Sequence, residues 1–180
     1  MSDQNLDDDP TAGMTSMAGR ESMADMADMA AEARVDLWAD PASGVAFARR
    51  MWDDDVASRG LGMEAVVLEQ DHAVVRMPVR PDMVNGHDIC HGGFIFTLAD
   101  SCFALACNSR GRTTVAAGAD IAFTAPGRLG DVLVADARVR AAYGRSGITD
   151  VTVRRESDGQ IIAEFRGRSR SLKHPSPSTP

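Results

Sequence analysis

Eighteen residues in the middle of the chain, GGFIFTLADSCFALACNS from Gly92 to Ser109, limit what it can fold into more than any others. They read as a helix that is apolar on nearly every side, with a single charged group, Asp100, near its midpoint. A helix of this kind has no face for water, so other parts of the protein must cover it. At 1.5 Å per residue it is about 27 Å long. A bilayer crossing asks for about 20 apolar residues in a row, and here two glycines lead and a carboxylate interrupts. The pattern predicts a buried core helix, and the rest of the chain has to provide its cover.

That cover is legible as strands. From Gly60 the spacing changes to alternation, and GMEAVVLEQDHAVVRMPV reads as two strands turning at Glu69–Asp71. After the helix come TTVAAGADIAFTAP, DVLVADARVRAAYG, GITDVTVRRES and QIIAEFRGRSRSL, split by the turn signals PGRLGD, YGRSG and SDG. A short amphipathic helix precedes them all, with Val45, Ala48 and Trp52 at helical intervals in PASGVAFARRMW. Consecutive hairpin links predict an antiparallel meander. A curved antiparallel sheet wrapped around one long central helix satisfies both the strands and the apolar helix. This is an α+β arrangement, the hot-dog fold.

Charge divides the chain. Residues 1–40 hold ten acidic side chains and two arginines, whereas residues 41–180 hold sixteen acidic and seventeen basic ones. The net charge of −7 thus belongs to the N-terminal stretch, and neither part offers the basic surface that nucleic acid needs. Residues 1–40, rich in Met, Ala and Asp, are expected to be a disordered leader, residues 41–172 the folded domain, and residues 173–180 a flexible tail. Cys90, Cys102 and Cys107 are odd in number and lack metal-knuckle spacing, so they read as small core hydrophobes in a reducing compartment. No basic-then-apolar secretory leader stands at the N-terminus. The expected location is the cytoplasm, with no membrane partner.

The stretches NGHDICHGGFIFTLADSCFALACNS, GADIAFTAPGRLGD and FRGRSRSL together resemble the PaaI-like acyl-CoA thioesterases of phenylacetic acid degradation, from about Val45 to Leu172. The likeness rests on His-Gly-Gly, Leu-Ala-Asp and Ala-Cys-Asn-Ser falling in one register. It implies the hot-dog fold and hydrolysis of (hydroxy)phenylacetyl-CoA-type aryl thioesters. It also implies a homodimer as the catalytic unit, often paired into a homotetramer, with no metal and no cofactor.

The residues themselves point to chemistry. A carboxylate in an apolar helix is expensive unless paired or neutral, and no Lys or Arg stands three or four residues from Asp100. Desolvation raises such a pKa, which suits a base working near neutral pH; a solvent-facing or capping Asp100 is the plainer reading. Gly92 and Gly93 open the helix, where unpaired N–H groups and the helix dipole can hold the oxygen of a polarised carbonyl. A tight turn into the helix would use the same glycines. Eight residues separate Gly92 from Asp100, about 12 Å of helix, too far for one carbonyl to meet both. Two antiparallel helices across a two-fold axis bring the Gly92 end of one to Asp100 of the other, giving two shared sites per dimer.

By the resemblance, Asn85 is the amide residue that positions water or carboxylate, and His91 is the histidine before the oxyanion glycine, touching the thioester region. Either residue also fits a plain turn. His91 stands at a helix N-terminus, where the dipole favours its neutral form, so Asp100 ranks above it as the base. Some related hydrolases carry a hydroxyl residue one turn after the carboxylate; here that position is Ala104. For the phosphates of CoA, the loop residues Arg128, Arg145 and Ser146 are candidates. Arg166, Arg168 and Arg170 alternate on one strand face and read as a basic rim or an ordinary solvated face. Gly118 either lets the pantetheine arm pass or marks a β-bulge. Phe94, Phe96, Phe103 and Phe123 line an aryl pocket or pack the core. Whether Asp100 activates water or attacks directly stays open. A hot-dog enoyl-CoA hydratase or dehydratase, and a non-catalytic acyl-CoA-binding module, are the rival functions.

Overall fold

The computed structural model describes residues 41–172, so the expected leader at 1–40 and tail at 173–180 lie outside the described residues. Helix α1 (Pro41–Asp53) is followed by the short α2 (Val56–Gly60), which the sequence reading did not foresee. Asp55 starts α2 by accepting the Ser58 N–H at 3.0 Å, a side-chain cap for an orphan helix donor. Strands β1 (Glu64–Glu69) and β2 (His72–Pro78) form the first hairpin. Its turn holds Asp71 at φ 65, a conformation secured by the Arg110 guanidinium, whose Nη2 lies 2.7 Å from Asp71 Oδ2. Helix α3 (Gly92–Asn108) comes next, then β3 (Thr114–Phe123), β4 (Val132–Tyr143), β5 (Ser146–Arg155) and β6 (Ile161–Ser171).

All pairings are antiparallel, in the order β1-β2-β4-β5-β6-β3. The expected meander holds for β4, β5 and β6 but not for β3, which joins the far edge beside β6. The helix is the reason. It carries the chain about 25 Å across the sheet's inner face, so the strand after it starts beyond the hairpins instead of next to β2. Among the described residues, strand β3 is therefore paired along one edge only.

Alternation along β2, β4, β5 and β6 puts one set of side chains under α3. Ala73, Val75 and Met77 of β2, Leu133, Ala135 and Ala137 of β4, and Val151 and Val153 of β5 are fully buried. The alanines matter for the helix, because small side chains let it lie close to the sheet. Cys102 of α3 comes near enough to donate its thiol to the carbonyls of Ala73 and Ala135, both at 3.3 Å. Phe103 rests on Gly167 of β6, where a Cβ would collide with its ring, and stacks at a tilt on Phe165, 5.9 Å between centroids. These contacts cover one side of α3.

The other side is covered in part. Helix α1 packs on α3, and Ser58 and Ser101 hydroxyls meet at 2.9 Å. A strip formed by Gly93, Thr97, Asp100 and Ala104, spaced four, three and four residues apart, stays partly open to solvent. The apolar helix is thus enclosed by the sheet on one face only, within a single chain. Among the described residues, no helix is long and apolar enough to cross a membrane.

Candidate active site

The loop before α3 is built so that the first turn of the helix faces a cavity. Val84 and Cys90 form an isolated antiparallel bridge, and the Asn85 N–H donates to the Ile89 carbonyl at 2.9 Å, closing residues 84–90 into a compact turn. His91 N–H donates to Met83 O and Cys90 N–H to Gly127 O, both at 2.8 Å. The second bond ties the start of α3 to the PGRLGD loop between β3 and β4. A cavity of about 660 Å3 opens there, with Asn85, Gly92, Ile95, Phe123 and Pro126 in its wall. Its remaining lining, including His87, Ile89, Cys90 and Thr124, was not singled out as a site from the sequence. Those side chains come from separate loops, and no local pattern marks them.

Hydrogen bonds decide which groups are available to a ligand. His91 is the N-cap of α3: its Nδ1 accepts the Gly93 N–H at 3.0 Å. That ring nitrogen therefore carries no proton while the cap holds. The Gly93 amide is spent on the cap, whereas the Gly92 amide has no acceptor among the described residues. Of the two glycines only Gly92 keeps a donor free. No Cβ fits easily there either, because the Phe123 ring stands with Cζ 3.0 Å from the place one would occupy. Asn85 is oriented in the same manner. Its Oδ1 accepts the His87 N–H at 2.9 Å, so the side-chain NH2, a donor, is the end left for the cavity.

Asp100 sits two turns further along α3, outside that cavity wall. It is half-buried and has no hydrogen-bond or ion-pair partner among the described residues. Burial alone pushes its carboxyl above the ordinary value of 3.8. Thr97 donates its hydroxyl to the Gly93 carbonyl at 2.8 Å, and Ala104 brings no hydroxyl one turn later. Within one chain the structure therefore brings Gly92 and Asn85 together and leaves Asp100 apart, as the 12 Å spacing along the helix requires.

The other residues singled out from the sequence are scattered. Arg128 stands exposed on the loop beside Pro126, its backbone N–H donating to Asp131 Oδ2 at 2.8 Å. Arg145 and Ser146 lie at the opposite end of the sheet, the length of β5 away, about 30 Å at 3.3 Å per residue. Ser146 Oγ accepts from Arg170 Nη1 at 3.3 Å. Gly118 marks a β-bulge, since the β3–β6 register slips between Ala116 and Gly118, and the Arg168 guanidinium lies across it. Arg166 and Arg168 are engaged by Asp150 and Asp120 on the outer face. Of the four phenylalanines, Phe103 is core, Phe96 stacks edge-on against Phe165 at 5.4 Å, and Phe94 leans on His91; only Phe123 lines the cavity. Burial raises the Cys90 thiol to about 11 and the Cys107 thiol to about 12, and all three cysteines are reduced and buried. Among the described residues, no group of three or more His, Cys, Asp or Glu side chains converges to hold a metal ion.

Comparison with known proteins bears on this geometry. Residues 87–162, which contain α3 and strands β3, β4 and β5, match the thioesterase superfamily. Over 125 residues, 69% of this chain and 89% of the relative, the sequence is 39% identical to acyl-coenzyme A thioesterase PaaI of Escherichia coli. The solved structure of the E. coli PaaI protein from the phenylacetic acid degradation operon superimposes with a TM-score of 0.70 at 37% identity, covering 73% of this chain and 94% of that one. Streptococcus mutans smu.793, solved bound to acetyl CoA, gives a TM-score of 0.60 at 28% identity over 63% of this chain and 91% of its own.

Proposed function

The chain belongs to the PaaI-type acyl-CoA thioesterases of the thioesterase superfamily and is a thioester hydrolase; on that premise we propose that it hydrolyses (hydroxy)phenylacetyl-CoA-type aryl thioesters at a site shared between two copies. The observation that carries this reading is the division of labour along α3. One end presents the free Gly92 N–H and the Asn85 amide to a cavity, and the single carboxylate, Asp100, lies partly open about 12 Å further on. Two copies related by a two-fold axis, with their α3 helices antiparallel, bring each carboxylate to the other's donors. Both the open strip on α3 and the free edge of β3 then gain a cover.

The thioester carbonyl oxygen accepts from Gly92 N–H and the Asn85 NH2. Preorganised donors of this kind favour the charge that grows as the carbonyl becomes tetrahedral. Asp100 of the facing copy takes a proton from water as the water oxygen bonds to the carbonyl carbon. When the tetrahedral centre collapses, the C–S bond breaks, the oxygen's extra electron pair re-forms the carbonyl, and the CoA sulfur leaves with a proton returned by Asp100. Direct attack by an Asp100 oxygen on the carbonyl carbon uses the same geometry: the C–S bond breaks, the CoA sulfur leaves as thiolate and takes a proton from water, and water then opens the mixed anhydride to the free acid and the Asp100 carboxylate. A desolvated carboxylate with a raised pKa suits both routes. His91 serves as the helix cap that holds the first turn in place.

The phenylacetyl preference and a place in phenylacetate degradation come from the PaaI relative's name and the apolar cavity wall. Arg128 at the cavity loop is the first candidate for the CoA phosphates. Arg145, Ser146, Gly93 and Gly118 would reach CoA only across the two-fold, because they lie off the cavity of their own chain. Further pairing of dimers would give a homotetramer.

Subunit mixing tests the shared site. Asp100→Asn and Gly92→Ala variants, each inactive alone, are refolded together. Hybrid dimers hold one intact Gly92–Asp100 pair, so phenylacetyl-CoA hydrolysis returns on mixing. No recovery, with hybrids demonstrated by mass, places both groups in one chain and ends the proposal. Single turnover in oxygen-18 water tests the second route: label in Asp100 means an anhydride opened at the Asp100 carboxyl carbon.

A further inference from the structure

The chain has six phenylalanines, and five of them are not in the cavity wall. Phe123 differs from the rest in being a large apolar side chain that is 53% exposed, at the end of a strand, with its ring against the first residue of α3. The backbone after it is held firmly. Thr124 N–H donates to the Ile162 carbonyl at 2.9 Å and the Thr124 hydroxyl to the Ile161 carbonyl at 2.8 Å. An exposed aromatic ring on an anchored backbone costs apolar hydration that a bound apolar group would remove.

Its position relative to Gly92 shows where that ring stands. Phe123 Cζ lies 3.0 Å, and Cε1 and Cε2 each 3.4 Å, from the point a Cβ on Gly92 would occupy. The tip of the ring thus points at the residue whose free N–H faces the cavity, and its faces are left for a ligand. A carbonyl held by that N–H has its acyl side beside the ring. The neighbouring wall, made by Ile95, Ile89 and Pro126, is aliphatic. Among the described residues, Phe123 is the one phenyl ring in the cavity wall, where the His87 imidazole is the other aromatic group.

We propose that Phe123 is the residue that selects the acyl group, receiving a planar aryl ring edge-on or offset-stacked beside the carbonyl. The proposal rests on the thioesterase reading for the direction in which the substrate lies, and it adds the residue that discriminates between acyl groups. Aromatic pairs contribute beyond their buried area by an amount corresponding to about two- to tenfold in an equilibrium constant. Phe123→Leu keeps an apolar side chain of similar size and removes the π-system.

The test compares kcat/KM for phenylacetyl-CoA and hexanoyl-CoA in the natural protein and in Phe123→Leu. The ratio of aryl to alkyl turnover falls about fivefold in the variant, within the range for a lost aromatic pair. An unchanged ratio overturns the proposal, whether both rates fall together or neither moves. Should the natural protein hydrolyse neither ester, the functional reading fails and Phe123 is judged by binding. The non-hydrolysable phenylethyl thioether of CoA then binds the natural protein several-fold more tightly than Phe123→Leu, and equal affinities overturn the assignment. An equal thermal midpoint for the two proteins shows that the variant is folded.

Discussion

Gly92→Ala separates two reasons a chain can have for keeping a glycine. One reason is backbone conformation, and it does not operate here, because Gly92 is the first residue of a regular helix and is not among the positive-φ glycines. The other is space. The added methyl would meet Phe123 Cζ at 3.0 Å, so the ring must retreat by a few tenths of an ångström to reach ordinary contact. Phe123 is 53% exposed and can swing toward solvent, which keeps the cost small. Alanine is favoured over glycine in a helix by about 0.5–1 kcal/mol, and somewhat less at the first position. Stability should therefore stay within about 1 kcal/mol of the natural protein once these two terms are set against each other.

Activity should not stay. Alanine keeps the backbone N–H, so turnover falls only as far as the methyl beside Phe123 crowds the carbonyl's approach to it, with the loss of a whole oxyanion donor, about a hundred- to a thousandfold, as the upper bound. Urea unfolding gives the stability arm, and kcat/KM on phenylacetyl-CoA gives the other. Hydrolysis retained within about threefold would mean that no carbonyl has to approach past that methyl, which removes the Gly92 amide as its donor. A large drop in stability would mean instead that Phe123 cannot move, contrary to its exposure.

Three further outcomes follow from particular contacts. Gly167→Ala drives a methyl into the Phe103 ring in the closed core, so unfolding free energy should fall by about 1–3 kcal/mol, read as a lower urea midpoint; an unchanged midpoint would show the core to be loosely packed. Asp100→Asn should lower hydrolysis by about a hundred- to ten-thousandfold while raising stability at neutral pH. Burial lifts the folded carboxyl above 3.8, so the folded state holds its proton more tightly than the unfolded chain. The stability tied to that proton is complete below the unfolded value and lost as pH rises through the folded one. The asparagine variant escapes that loss, and its advantage should shrink as pH is lowered toward 3.8; an advantage independent of pH would exclude this cause. Finally, burial holds Cys107 near 12 and Cys102 higher still, so in native protein at pH 8 these two thiols should react with a thiol reagent only as fast as the chain unfolds. Fast labelling of either would place that thiol at the surface.

The amino-acid order alone determined the parts and their kinds. Period-two alternation is clear in the segments of β2, β4, β5 and β6, and the boundaries of α1, α3 and all six strands fall within a few residues of where the pattern sets them. Gly92 and Asp100 stood out as candidates because a carboxylate and paired glycines are out of place in an apolar helix, and their separation follows from helical rise alone. The Asp71 turn was legible only as a turn; its positive φ is supported by Arg110, 39 residues away.

Tertiary structure decided what distant segments do together. Strand β3 sits beside β6 because a rigid helix displaced it, and local hydrophobic periodicity says nothing about which strand lies next to which. The choice between the Gly92 and Gly93 amides rests on a single bond from Gly93 N–H to the His91 ring. Asn85 presents its NH2 because a backbone N–H two residues on occupies its oxygen. Phe123 was one of four equivalent candidates in the sequence, and only the fold carries it to the start of α3. Periodicity reports the face a residue shows to its own element, whereas a site is made where faces of several elements meet, and that meeting is settled by packing.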